Sequence, residues 1–197
     1  EELIPGLQMA EEAKAIAQRL GDQHREMRCL VYIANGRFKL KTSGWQDLAE
    51  QALTLTRQLG DLKMEVNLLL SLGNAYGMDD LPSSRDYLKA ALAHSEKLND
   101  KAIEITLLNA LGQQYERDGD YHRQLVEYEQ KRLRLSREIG SRIEEGSALM
   151  HCGQIQALDL GDQPTGLELV RQALHIWEPI TLRLFPLLRI AQVQSAQ

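Results

Sequence analysis

The sequence predicts an all-α solenoid of antiparallel helix pairs, with about ten helices in a single domain over residues 1–197. The first observation is a recurring triplet: Leu20-Gly21-Asp22, Leu59-Gly60-Asp61, Leu98-Asn99-Asp100 and Ile139-Gly140-Ser141 follow one another at steps of 39, 39 and 41 residues. Self-similarity at a fixed period of this size marks stacked supersecondary units. The second is a stop-start signal between the triplets, at Gly119-Asp120 and Gly161-Asp162 and less regularly at Ser43-Gly44 and Leu81-Pro82-Ser83-Ser84, so each period holds two helices. The third is composition: aromatics make up 5% and prolines number only five, while Leu, Ala, Glu, Gln and Arg dominate, a mixture that suits helices better than strands.

Each boundary follows from local chemistry. Gly, or Asn in its place, takes the left-handed conformation that ends a helix, and the next Asp or Ser accepts from the free amides of the following helix. The expected helices therefore run at about 5–20 and 22–40, with Gly21-Asp22 between them, then about 45–59 after Ser43-Gly44 and 61–78 after Gly60. The Pro82 turn opens 83–98, Asn99-Asp100 opens 100–118 and Gly119-Asp120 opens 120–139. Gly140 opens 141–159, where Ser141 and Glu144 have the spacing of a reciprocal capping box. Gly161-Asp162 opens 163–179, and a last helix at about 183–195 carries Pro186 in its first turn.

Charge and cysteine content exclude several functions. The formal charge of −5 is spread evenly, with 12 basic and 14 acidic side chains in residues 1–98 and 11 and 14 in 99–197. Without a basic field, nucleic-acid binding by this segment is not expected. Lys131, Arg132, Arg134 and Arg137 are read as a solvated helix face. The two cysteines form no metal or redox motif and are expected to be reduced in a cytoplasmic protein. The sequence has no signal peptide and no apolar run near the ~20 residues of a membrane helix. It opens without Met on the second helix of a repeat, so a piece of a larger protein is expected.

Calling the helix after each triplet A and its partner B, the A helices share one apolar face at helical spacing. It reads Leu30, Ile33, Ala34, Arg37; Leu69, Leu72, Gly73, Tyr76; Leu108, Leu111, Gly112, Tyr115; and Leu149, Cys152, Gly153, Gln156. The third position is always small, which lets a B helix approach closely.

Leu72-Gly73-Asn-Ala-Tyr76 and Leu111-Gly112-Gln-Gln-Tyr115, with Gly119-Asp120-Tyr121 and the Ala-Leu pairs Ala52-Leu53, Ala91-Leu92 and Ala173-Leu174, resemble the tetratricopeptide repeat (TPR) family over nearly the whole chain. The chain departs from the pattern where the family's tryptophan stands, here Leu30, Leu69, Leu108 and Leu149, and in a period of about 40 residues rather than 34. The longer period with Leu-Gly-Asp junctions resembles both the helical sensor or scaffold regions of bacterial multidomain regulators and Pins-type polarity scaffolds. The resemblance implies a right-handed superhelix of about four full repeats plus a partial repeat at each end, with A helices on the concave side. No cofactor is expected, since the glycines read as caps rather than a phosphate loop and the histidines show no ligand spacing.

One step round each A helix from the core set lie Arg28, Val31, Asn35, Phe38; Asn67, Leu70, Asn74, Gly77; Thr106, Asn109, Gln113, Glu116; and Ser147, Met150, Gln154, Ala157. Their third column is a carboxamide every time: Asn35, Asn74, Gln113 and Gln154. A carboxamide both donates and accepts, so it can grip the backbone of a peptide without reading its sequence. Arg28, Asn67 and Asn109 add polar contacts, and Tyr32, Phe38, Leu70, Met78 and Met150 are candidate apolar anchors. Tyr32, Ser71, Ala110 and His151 vary at the adjoining position. The family's carboxylate clamp is disfavoured, because its first lysine falls at Val31, although Asn35 matches the next clamp position.

Catalysis is not expected. His151 and Cys152 are adjacent on a helix and point about 100° apart, and Cys152 falls in a core column. Asp79-Asp80 reads as a turn and Glu144-Glu145 as a helix start, and the histidines show no ligand spacing. The expected function is a protein-interaction scaffold holding a peptide or partner helix in its groove. The alternatives are a ligand-sensing or regulatory module of a bacterial multidomain regulator and a structural dimerisation arm. Apolar residues of 183–195, among them Leu184, Leu187 and Ile190, are expected to promote self-association.

Overall fold

In a computed structural model of the chain, residues 3–77 and 80–177 are described. Helices α1 (Leu3–Leu20), α2 (Gln23–Lys39), α3 (Trp45–Leu59), α4 (Leu62–Tyr76), α5 (Leu81–Leu98) and α6 (Lys101–Arg117) follow one another. A continuous helical run over 121–138 then consists of α7 (Tyr121–Arg123), the π-helical segment π1 (Gln124–Glu129) and α8 (Gln130–Glu138). Helix α9 (Arg142–Gln154) widens into a second π segment, π2 (Ile155–Asp159), and α10 (Gln163–Trp177) follows. The expected helix at 183–195 and its apolar edge lie outside the described residues, as do Met78 and Asp79. Among the described residues no helix is long and apolar enough to cross a membrane.

The punctuation works as its chemistry predicts. Gly21, Gly60, Asn99 and Gly140 all have φ between 53° and 69°. The next residue caps the following helix in three of four cases: the Asp22, Asp61 and Asp100 carboxylates accept from the amides of Arg25, Met64 and Ile103. The fourth corrects the sequence reading. Ser141 makes no side-chain cap hydrogen bond, and Glu144, the expected partner in its capping box, instead accepts from Arg132 Nη2 at 3.4 Å. Helix α5 starts two residues earlier than expected, because Asp80 accepts from the Ser83 amide and hydroxyl and leaves Pro82 in the first turn.

The chain forms two compact units, residues 1–94 and 95–197. In the first, Leu30, Ile33, Ala34, Leu69, Leu72 and Gly73 are buried with Ala52, Leu53 and Leu88. A Cβ on Gly73 would stand 2.5 Å from Leu88 Cγ, and Ser84 Oγ donates to the Gly73 carbonyl at 2.6 Å, so α5 lies directly on the backbone of α4. In the second unit, Leu108, Leu111, Leu149 and Cys152 are buried. There a Cβ on Gly153 would meet the Gly166 carbonyl at 2.7 Å.

Candidate functional site

Each unit places two carboxamides of the predicted column on one cavity. In the first unit, Asn35 of α2 and Asn74 of α4 share a cavity of about 360 Å³ with Val31, Phe38, Leu68 and Ser71, and α3 contributes Trp45 and Ala49. An aromatic row runs beside it, with one ring from each of four successive helices. Phe38 meets Trp45 edge-on at 5.1 Å, Trp45 meets Tyr76 at 5.5 Å, and Tyr76 stacks on Tyr87 at 5.5 Å. Such offset and edge-on contacts align ring edges with ring faces of opposite partial charge. The Tyr87 hydroxyl donates to Glu50, and burial, then this carboxylate, hold the phenol well above its ordinary range.

In the second unit, Gln113 of α6 and Gln154 of α9 line a larger, more polar cavity of about 550 Å³. Its wall also contains Glu116, Arg117, Tyr121, Gln124, His151, Ile155 and Asp159. Both π segments border it: Gln124 opens π1, and Ile155 and Asp159 bound π2. A π turn inserts an extra residue into a helix, shifting the side-chain register after it, and is often found at functional sites. Gln124 is 3% exposed and its Oε1 has no hydrogen-bond partner. Burial, then the neighbouring Glu116 charge, raise the Asp159 carboxyl above the ordinary range.

Behind this wall lies an ionic cluster that the sequence reading missed. Arg132, expected on a solvated face, is 2% exposed. Its Nη1 donates to Glu129 Oε2 and to Asn109 Oδ1, both at 3.0 Å, and its Nη2 donates to Ser147 Oγ at 2.6 Å. His151 Nδ1 stands 3.1 Å from Arg132 Nη1 and 3.5 Å from Glu129 Oε1, so the imidazole borders the pair. Glu129 is buried in turn, with Oε1 3.0 Å from where a Gly112 Cβ would stand. The small third position of this repeat thus makes room for a carboxylate. Lys131 pairs with Glu96 at 2.6 Å, while Arg134 and Arg137 are exposed as expected.

Asn35, Asn74 and Gln113 are exposed and Gln154 is half-buried, and among the described residues no side-chain hydrogen bond engages any of the four. Phe38, 43% exposed, lines the first cavity, and Ser71 and His151 of the variable adjoining position line the first and second. Arg28 and Asn67 are exposed and Leu70 is half-buried, outside both cavities. The exposed Tyr32 rests its hydroxyl on Gly6, 2.7 Å from where a Cβ would stand. Two expectations are corrected. Met150 is 5% exposed and belongs to a core cluster with Leu149, Val170, Ala173 and Ile176, because α10 covers that side of α9. Asn109 is engaged by Arg132. Cys152 is buried, and its thiol is pushed up to about 12 by burial and by Glu129, which keeps it protonated at neutral pH.

No family model matches the chain, and no curated protein matches it in sequence. Solved structures match its fold. BtubC from P. vanneervenii superimposes with a TM-score of 0.79 at 15% identity, over 100% of this chain and 84% of that one. A signal transduction ATPase with numerous domains (STAND) from Pyrococcus horikoshii, which carries a tetratricopeptide repeat sensor, superimposes with a TM-score of 0.63 at 20% identity over 88% of this chain. The fold is tetratricopeptide-like. A Rap protein in complex with Competence and Sporulation Factor matches this TPR-like fold with a TM-score of 0.63 at 16% identity over 96% of the chain. The chain spans 58% of that Rap chain and 28% of the STAND protein.

Proposed function

We propose that the chain is a protein-interaction module that holds a peptide or partner helix against its A helices. The carrying observation is the repeated pairing of accessible carboxamides on a cavity, Asn35 with Asn74 and Gln113 with Gln154. Each can donate to a backbone carbonyl and accept from a backbone N–H, while the cavity between them takes a side chain. The likeness to a Rap protein that has been crystallised with Competence and Sporulation Factor supports a ligand-holding role for this fold.

The test is a selection of random linear peptides displayed on phage, followed by calorimetric titration of the recovered peptides. Loss of about tenfold or more in affinity on Asn35→Ala with Asn74→Ala, or on Gln113→Ala with Gln154→Ala, is the expected result. Peptides that bind both double variants as they bind the parent chain would overturn it. A second reading, a sensor of small ligands, is favoured by the polar cavity of the second unit and the likeness to a STAND protein with a TPR sensor. It predicts stabilisation that scales with ligand occupancy in a metabolite thermal-shift panel, and a flat panel removes it.

A further inference from the structure

We infer that the cavity of the second unit is a recognition pocket for a guanidinium group, presented by an arginine of the bound partner. This rests on the interaction-module reading and names what one of its two cavities selects. The wall carries two carboxylates, Glu116 and Asp159, against one arginine, Arg117. The pocket is therefore net acidic. At its side stands Gln124, almost fully buried and with its carbonyl oxygen unpartnered. A buried acceptor without a donor costs about 1–3 kcal/mol, and a ligand bringing N–H groups relieves that cost.

A guanidinium offers five N–H donors in one plane and no acceptor. The wall offers complementary groups: a carbonyl on Gln124, carbonyls on Gln113 and Gln154, two carboxylates, and the Tyr121 ring as a surface for stacking. An anionic ligand would face Glu116 and Asp159 instead. Burial, then the Glu116 charge, raise the Asp159 carboxyl, and a bound cation offsets both. An ammonium satisfies the charge but supplies fewer donors without planarity, so lysine should follow arginine.

Four probes test this by NMR titration of the whole chain: the capped pentapeptide Gly-Gly-Arg-Gly-Gly, its lysine and citrulline counterparts, and agmatine, a free guanidinium. The expected result is saturable shifts at Gln113, Gln124 and Asp159, with the arginine peptide binding about tenfold tighter than the uncharged citrulline one. Asp159→Asn and Glu116→Gln, both at accessible positions that should leave the fold intact by circular dichroism, should each erase most of that preference. Equal binding of arginine and citrulline peptides, binding of none of the probes, or a preference unchanged in both variants would overturn the inference. If both peptides bind equally and Gln113→Ala with Gln154→Ala weakens both, the interaction module stands and the guanidinium pocket fails. If agmatine matches the arginine peptide and that double variant changes nothing, the pocket stands with a small-molecule source and the backbone grip fails.

Discussion

The two cavities share a carboxamide pair and differ in nearly everything else. In the first unit the wall is apolar and aromatic: Trp45 and Phe38 border the space, and the ring row through Tyr76 and Tyr87 fixes the neighbouring helices. In the second unit the wall is polar, bordered by two π segments and backed by the buried Arg132 cluster. A helix-pair repeat repeats its core faithfully because Leu, Leu and a small residue must recur for the pairs to stack. The residues one step round the helix escape that constraint. Under the proposed function, the carboxamides hold any backbone while the differing walls choose side chains, an apolar one in the first unit and a cationic one in the second.

The largest expected effect breaks the second unit from within. Arg132 and Glu129 are both within 2% of full burial, and removing one member of such a pair leaves the other charge buried alone. Arg132→Ala should destabilise the chain by about 3–5 kcal/mol in urea unfolding. Arg132→Met combined with Glu129→Leu should recover most of the loss, since an apolar pair of similar volume removes the desolvation cost. A single Arg132→Ala costing no more than an exposed substitution would show that the cluster does not shape this unit.

Next in size are the small third positions, which differ by what stands opposite each, within a unit as well as between units. Gly153→Ala puts a Cβ 2.7 Å from the Gly166 carbonyl and 2.8 Å from Val170 Cγ2, so backbone must move. A cost of about 1–3 kcal/mol, typical of overpacking, is expected. Gly73→Ala meets Leu88 and the Ser84 carbonyl and belongs in the same range. Gly112→Ala meets the end of the Glu129 side chain at 3.0 Å and nothing else closer than 3.7 Å. It should cost least of the three, and a cost equal to that of Gly153→Ala in the same unfolding assay would contradict this geometry.

These positions also show how far the sequence could be read. The helix pairs were legible because their signals are local: a left-handed residue followed by a side-chain acceptor is visible in a triplet, and the core columns follow from counting. Asp61→Ala should accordingly cost about 1 kcal/mol and Ser141→Ala much less, since only Asp61 caps. The carboxamide column was legible for the same reason. The buried Arg132 was not, because its partners Asn109, Glu129, Ser147 and His151 lie on three different elements and only the pairing of α6, π1 and α9 assembles them. The π segments leave no trace in apolar periodicity, so Gln124 reached the cavity wall unannounced. Met150 failed differently: its column faces outward until a following helix covers it, and α10 does so.

The smallest effect separates binding from stability at one residue. Asp159 has its carboxyl raised by burial and by Glu116, so its charged form is disfavoured in the folded chain relative to the unfolded one. The resulting destabilisation is fully present at neutral pH, above the folded value, and disappears as the pH falls below about 3.9, the value of an unstructured Asp. Asp159→Asn should therefore raise the unfolding midpoint slightly at pH 7 and leave it unchanged at pH 3. The same substitution should weaken the arginine pentapeptide at pH 7, because the repulsion it removes is what the guanidinium relieves. A residue kept for packing would lose stability on substitution, whereas one kept for a ligand gains stability and loses binding. If Asp159→Asn lowers the midpoint at pH 7, the carboxylate belongs to the fold and the difference between the two cavities lies elsewhere.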